Sequence, residues 1–217
     1  MTSFTEENYL KTIYHLNTDE NGTVSTNSIS ESLQTKAASV TDMLKKLADK
    51  ELINYAKYQG VTLTALGKQK AISIIRKHRL WEVFLVDKLN FKWDEVHDLA
   101  EELEHINSEI LINRLDEFLN FPENDPHGDP IPDKNGILKS QELVPVSKMN
   151  IGDEGKISGV REHSKNFLQY LEKTGLTLGC LIKIVDKIAF DDSVIIEIHS
   201  KEQTISREVA KNLLVAI

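Results

Sequence analysis

Cysteine is nearly absent from the 217-residue chain. The lone thiol, Cys180, excludes an intramolecular disulfide and any zinc or iron–sulfur site built from several cysteines. No apolar stretch reaches the roughly 18 residues of a membrane span, so no membrane is expected among its partners. The opening MTSFTEENYLK lacks the basic-then-apolar order of a secretory signal, and the expected location is cytoplasmic. A glycine-rich phosphate loop is missing, as is the zinc-protease pair of histidines four apart with glutamate beside the first. A ferritin-like centre needs Glu-x-x-His on two helices, and only Glu102-x-x-His105 occurs. With no nucleophile set either, neither an enzyme nor a small-molecule substrate is expected.

Apolar residues at 40% and charged residues at 28% are those of a globular protein, and no internal repeat is visible. The formal charge of −8 argues at first against nucleic acid, but it is unevenly spread. Residues 1–72 hold 8 basic and 8 acidic side chains, residues 73–140 hold 8 and 15, and residues 141–217 hold 10 and 11. Within the first third, residues 35–70 carry seven lysines against three acidic groups, a net +4. The acidity belongs to the middle, together with four of the seven histidines. Total charge therefore says little about what the first third touches.

Apolar spacing predicts a helix over 5–17 with Thr5 as N-cap, a short helix over 25–33 capped by Ser25, and a helix from Ala37 whose buried face is Val40, Leu44 and Leu47. Two strands follow, over 52–58 and 61–64, joined around Gln59–Gly60. Helix, helix–turn–helix and hairpin is the order of a winged helix–turn–helix. Further helices are expected from Lys68 to Leu89, Asp94 to His105 and Ser108 to Leu119. Residues 121–136 hold four of the five prolines and read as a loop. From Leu143 the chain is strand-like, including QTISREVA, with one helix in KNFLQYLEKTG stopped by Gly175. That composition fits a small SH3-like barrel, with Cys180 as a buried apolar residue. The expected fold is mainly α with a small β domain: a winged helix–turn–helix over 1–72, a helical part over 73–140 and the β module over 141–217.

Two constellations carry chemistry. A recognition helix presents small and polar residues of its N-terminal end to base edges, which suits Lys36, Ala37, Ala38, Ser39, Thr41 and Asp42, with Lys46 beside them. Lys57, Tyr58 and Gln59 of the wing are placed to reach backbone or minor groove. The bland alternative is a three-helix domain with an ordinary solvated lysine face. In the middle third, His78 and Glu82 stand at i and i+4, and His97, Glu101, Glu104 and His105 at i, i+4, i+7 and i+8. Two such faces offer the oxygen and nitrogen donors of a divalent-ion site. An exposed glutamate-rich helix produces the same spacing by chance.

ENYLKTIYHL, SVTDMLKKLADKELI, VTLTALGK, RKHRLWEVFL, VHDLAEELEH and DPHGDPIP, in that order over about 1–132, together resemble the diphtheria toxin repressor and manganese-transport regulator family. NIGDEGKISGV, FLQYLEKTGLTLG and the closing IS-x-E-x-A resemble the SH3-like, ferrous-transport accessory domain of its longer members. The resemblance implies a homodimeric repressor that binds operator DNA with Mn²⁺ as corepressor. Fe²⁺ is the other candidate, and further divalent transition metals would act in vitro. It implies a principal metal site of Asn8, His78, Glu101, Glu104 and His105, and a second of Glu82, His97, His127 and His163, with Asp125 as an alternative donor and Asn166 at a ligand position. Glutamate at 101 follows the manganese-type pattern, where iron-type members carry cysteine. Asn8 departs from both types, and Lys11 stands where two-ion members have a further glutamate. A metal carrier or storage protein without operator binding is the alternative from another class.

Overall fold

The computed structural model describes residues 2–17, 22–56, 59–139 and 142–217. Lys57 and Tyr58 lie outside the described residues. The chain divides into two compact units, one of residues 1–78, 101–113 and 132–137, the other of 79–100, 114–131 and 138–217.

The first unit opens with α1 (Phe4–Leu16), α2 (Thr26–Ser32) and α3 (Ala37–Asp49), followed by the antiparallel hairpin β1 (Ile53–Ala56) and β2 (Gly60–Leu63). Helix α1 begins earlier than expected. Ser3, not Thr5, is its cap: the Ser3 hydroxyl accepts from the Glu6 amide while the Glu6 carboxylate accepts from the Ser3 amide. A reciprocal capping box satisfies two orphan amides where Thr5 would satisfy one. Ser25 caps α2 as expected. Leu10 and Ile13 of α1, Ile29 of α2, Val40, Leu44 and Leu47 of α3 and Val61 of β2 form one core, so the apolar stripe of each helix faces the same interior. Val24 bridges Val61 and ties the segment before α2 to the hairpin.

The long helix α4 (Ala65–Leu89) starts directly after β2. Gly67 lets its first turn lie against the hairpin: a Cβ there would stand 1.9 Å from the Leu52 carbonyl oxygen. Next come α5 (His97–Leu103) and α6 (Glu109–Phe118). The expected helix start at Asp94 is corrected to His97, and its end to Leu103. Before the helix, the Glu95 carboxylate accepts from the Lys92 amide, and the Asp94 carboxylate accepts from the Gln169 amide nitrogen, which holds 92–96 in turns.

The second unit contains β3 (Val144–Pro145), a 3₁₀ turn over Val146–Lys148, β4 (Glu154–Val160), α7 (Lys165–Thr174), β5 (Leu181–Ile188), β6 (Ser193–Ile198), β7 (Lys201–Ile205), α8 (Arg207–Asn212) and β8 (Leu213–Ala216). The strands form one antiparallel sheet in the order β3-β8-β4-β5-β6-β7, with register shifts at Ile157/Gly159 and Ile184/Asp186. Its inward residues, including Ile157, Ile184, Ile196 and Val215, pack on Leu168 and Leu171 of α7 and on Trp93. Gly175 ends α7 with φ of 76°, as the sequence predicted. The strand expected through QTISREVA ends at Ile205, because the Ser206 hydroxyl accepts from the Val209 amide and starts α8. Cys180 is half-buried against the core rather than enclosed in it.

Gly67→Ala is expected to lower stability by about 1–3 kcal/mol through overpacking against Leu52. Urea unfolding of the two proteins measures the difference.

Candidate functional site

The N-terminal face of α3 lies open to solvent at Lys36, Ala37, Ala38 and Ser39, while Val40, Leu44 and Leu47 point inward. Lys36 stands at the cap position and makes no side-chain capping bond, so the cap residue leaves the first-turn amides without a side-chain acceptor. The Thr41 hydroxyl donates to the Ala37 carbonyl 3.0 Å away, which leaves its methyl as the outward group. Asp42 pairs with Lys45 at 3.4 Å, and Lys46 and Gln59 are exposed.

A first carboxylate–imidazole cluster joins α1 to His78 and to the segment ending α5. Glu104, wholly buried, receives His78 Nδ1 at 2.6 Å and the Lys11 ammonium at 2.7 and 2.9 Å on its two oxygens. Lys11 also reaches Glu101 at 3.2 Å. Burial alone would raise the Glu104 carboxyl, but His78 and Lys11 hold it below the ordinary glutamate range. His105 Nδ1 faces the Glu7 carboxylate at 2.7 Å, so its Nε2 is turned toward Glu104 Oε1, 4.0 Å away. Phe4 stacks on the His105 ring at 4.4 Å. Asn8 Oδ1 is buried and accepts no hydrogen bond. Lys77 is also buried, and desolvation pushes its ammonium down against the pull of Glu7 and Glu104. Asn8 lies on α1 between Glu7, which orients His105, and Lys11, which meets Glu104, and an unpartnered amide oxygen with a carboxylate-oriented histidine is a donor set that fits a cation. The structure thus brings His78, Glu101, Glu104 and His105 around Lys11.

A second cluster lies in the second unit, on α4, the proline-rich loop and the start of α7. Glu82, Asp125 and His127 are all buried and bring ligand atoms within 4.8 Å of one another. His127 Nε2 donates to the Trp93 carbonyl at 2.8 Å, which fixes the ring and leaves Nδ1 facing Glu82, 3.6 Å away. The ring is sandwiched between Trp93 and His163, at centroid distances of 6.1 and 4.9 Å. His97, more exposed, stands 3.7 Å from Glu82. His163 Nε2 lies 4.0 Å from Asp129 and donates to the Val160 carbonyl at 3.3 Å, and its burial depresses its pKa, which favours the neutral, ligating imidazole. Asn166 is exposed on α7. Arg79 steadies the loop through Asp129 at 3.0 Å, Asp125 at 3.5 Å and the Pro130 carbonyl.

Electrostatics set the two clusters apart. Burial, reinforced by Glu82 and Asp129, pushes Asp125 up to about 7. Burial alone would depress His127, but the Glu82 carboxylate and Asp125 push it up to about 8. Protons are therefore held where carboxylates crowd without sufficient counter-charge. A divalent cation relieves the same crowding, and the donors fit one.

Sequence reasoning missed the partners that orient these donors: Glu7 behind His105, the Trp93 carbonyl behind His127, and the Arg79 clamp. Gly128 gave the available signal. Its φ is 89°, and a Cβ would stand 2.1 Å from the Ser158 carbonyl, so only glycine lets the loop lie on β4, where the His127 carbonyl accepts from the Val160 amide.

Comparison with known proteins matches this layout. Residues 1–61 fit the model of the iron dependent repressor N-terminal DNA binding domain, residues 64–133 that of the iron dependent repressor metal binding and dimerisation domain, and residues 144–217 that of the FeoA domain. The diphtheria toxin repressor of Corynebacterium efficiens is 33% identical over 194 residues, 84% of either chain. The chain belongs to the diphtheria toxin repressor family of metal-dependent repressors. The iron-dependent repressor IdeR of Mycobacterium leprae is 38% identical over 128 residues, 59% of this chain, and the match spans 55% of that relative. Among solved structures, a manganese-dependent transcriptional repressor in complex with manganese superposes with a TM-score of 0.87 at 31% identity, over 97% of this chain and 98% of that one. The expected fold class, an N-terminal DNA-binding domain ahead of helices and a terminal SH3-like β module, is that of the family. Among the described residues no helix is long and apolar enough to cross a membrane.

Two expectations follow for the second cluster. Both raised pKa values mean that the folded, metal-free protein binds more protons than the unfolded chain. The stabilising share of His127 is complete below its ordinary 6.5 and lost as pH rises through about 8, while Asp125 destabilises progressively from its ordinary 3.8 up to about 7. Thermal unfolding in chelator should accordingly show stability falling as pH is raised from 6 to 8, about the range of an ordinary histidine and beyond, with a smaller fall in Glu82→Gln. Gly128→Ala should weaken Mn²⁺ binding about 10–100-fold by displacing His127, read by calorimetric titration.

Proposed function

We propose that the chain is a metal-responsive transcriptional repressor that binds operator DNA as a homodimer, with Mn²⁺ as corepressor and Fe²⁺ as the other candidate. One observation carries the reading. Glu82 of the buried Glu82–Asp125–His127 cluster lies on α4, the same continuous helix that begins just after the hairpin of the winged helix–turn–helix. Membership of the family supports it, and so does a donor set of carboxylate oxygens and imidazoles, which suits Mn²⁺ better than a thiolate set would.

Glu82, Asp125, His127 and His163, with His97 at the edge, would hold one cation; Asn8, Glu101, Glu104 and His105, with His78 against Glu104, would hold another. A bound metal would supply the positive charge that the crowded carboxylates otherwise draw from protons. Glu82 then keeps α4 in one relation to the proline-rich loop, and Asn8 keeps α1 in one relation to the α5 segment. The two recognition helices of a dimer are thereby fixed at a separation matching half-sites about one helical turn apart, or a multiple of it. Lys36 and the first-turn amides of α3 meet phosphate, while Ala37, Ala38, Ser39 and Thr41 approach base edges, with Asp42, Lys46 and Gln59 flanking them; Lys57, outside the described residues, is proposed as a further DNA contact. Metal and DNA are linked reciprocally: each raises affinity for the other by the same factor. The division into 1–72, 73–140 and 141–217, a cytoplasmic location and the absence of catalysis belong to the same reading.

Mobility-shift titration on a palindromic operator tests it. Operator affinity is expected to rise with Mn²⁺ or Fe²⁺ and to fall steeply with salt. Lys36→Ala should weaken DNA binding without altering Mn²⁺ affinity, whereas His127→Ala should remove the metal effect at limiting Mn²⁺. Operator binding indifferent to metal would defeat the reading, and metal binding with no operator affinity would make the chain a carrier.

A further inference from the structure

Lys11 sits inside the first cluster, where its charge has a consequence beyond structural pairing. Its ammonium contacts both oxygens of Glu104, at 2.7 and 2.9 Å, and one oxygen of Glu101, at 3.2 Å. The pair is shielded from water: the side chain of Lys11 is 13% exposed and that of Glu104 not at all. His78 takes the same Glu104 from the other side at 2.6 Å. Around them stand Glu7, facing His105, and the buried Lys77. Three carboxylates (Glu7, Glu101, Glu104) thus meet two ammonium groups and two imidazoles, so the cluster is close to charge balance without any ion.

A divalent transition metal binds carboxylate oxygen at about 2.0–2.2 Å. To take a Glu104 oxygen it would have to share that oxygen with an ammonium 2.7 Å away. Two positive centres that close, in a site this sheltered, repel strongly. Yet the rest of the cluster is arranged for an ion, through the orphaned Asn8 Oδ1 and a His105 whose Nε2 faces Glu104. No three of His78, Glu101, Glu104 and His105, among the described residues, bring ligand atoms as close together as Glu82, Asp125 and His127 do.

We propose that Lys11 is a tethered cation that competes with the divalent ion for Glu101 and Glu104, and so sets the metal threshold of the first cluster above that of Glu82–Asp125–His127. In metal-poor conditions the ammonium closes the cluster. At higher metal the ion displaces it, and Lys11 swings toward solvent through its flexible four-carbon stem. The two clusters then fill in order, giving the protein a graded response rather than a single step. The proposal rests on the metal-responsive reading above.

Mn²⁺ alone, followed by the electron paramagnetic resonance signal of the free ion, is the probe. In a full-length Glu82→Ala background, which removes the carboxylate that both His97 and His127 face, Lys11→Met is expected to bind Mn²⁺ about tenfold or more tightly than the same chain with Lys11. Lys11→Gln keeps a hydrogen-bond donor toward Glu104 but removes the charge; it should tighten binding likewise and carries the test if Lys11→Met does not fold. Lys11→Arg, which keeps the charge, should retain the weak affinity. Equal or weaker binding in both neutral variants would overturn the proposal, because the lysine would then be structural only. An absence of binding to the first cluster in every variant would overturn it too, while leaving the metal-responsive reading intact at the second. That reading itself fails if the parent chain with both clusters binds no Mn²⁺.

Discussion

Burying carboxylates demands counter-charge, because an uncompensated ion in a protein interior costs several kcal/mol, about 3–5 when a buried pair is broken. The chain buries Glu104 in one unit and Glu82 and Asp125 in the other, and it meets the demand differently in each. Glu104 is supplied internally by Lys11 and His78. Glu82 and Asp125 have Arg79 and His127 near them, but Arg79 is shared with Asp129 and the Pro130 carbonyl, and Asp125 stays pushed up to about 7. In the proposed reading, a divalent cation would fill that deficit, and one electrostatic constraint would link folding to metal response.

The local framework was readable because helix caps and apolar stripes are local. Val40, Leu44 and Leu47 share a face by spacing alone, Ser25 caps α2, and Gly175 ends α7 in the left-handed region. The misreadings arose where two local signals competed or a distant one decided. Thr5 and Ser3 are both plausible caps, and the Glu6 side chain decides for Ser3. The β-branched residues of QTISREVA favour a strand, yet Ser206 and the Val209 amide turn half of it into a helix. The expected helix from Asp94 gives way because Gln169, far along the chain, holds the Asp94 carboxylate.

The ligands of the candidate sites were legible by residue type and by resemblance, whereas what tunes them was not. Lys11 stood out as a departure from the family pattern, but its pairing with Glu104 spans 93 positions and has no local signal. The same holds for Glu7 behind His105 and for the Trp93 carbonyl behind His127. Such outer contacts decide tautomer, orientation and charge, and hence which of two similar-looking clusters takes an ion first. The acidic excess of the middle third acquires a specific meaning: part of it is neutralised from within by Lys11 and His78, and on the proposed function the Glu82–Asp125 part is what a metal would neutralise.

Anomalous diffraction at the manganese absorption edge, from crystals grown with Mn²⁺ at less than one equivalent per chain, bears on this most directly. The account predicts a peak among Glu82, Asp125 and His127, with Lys11 still on Glu104. A peak among Asn8, Glu104 and His105 at that limiting concentration, with the second cluster empty, would contradict it.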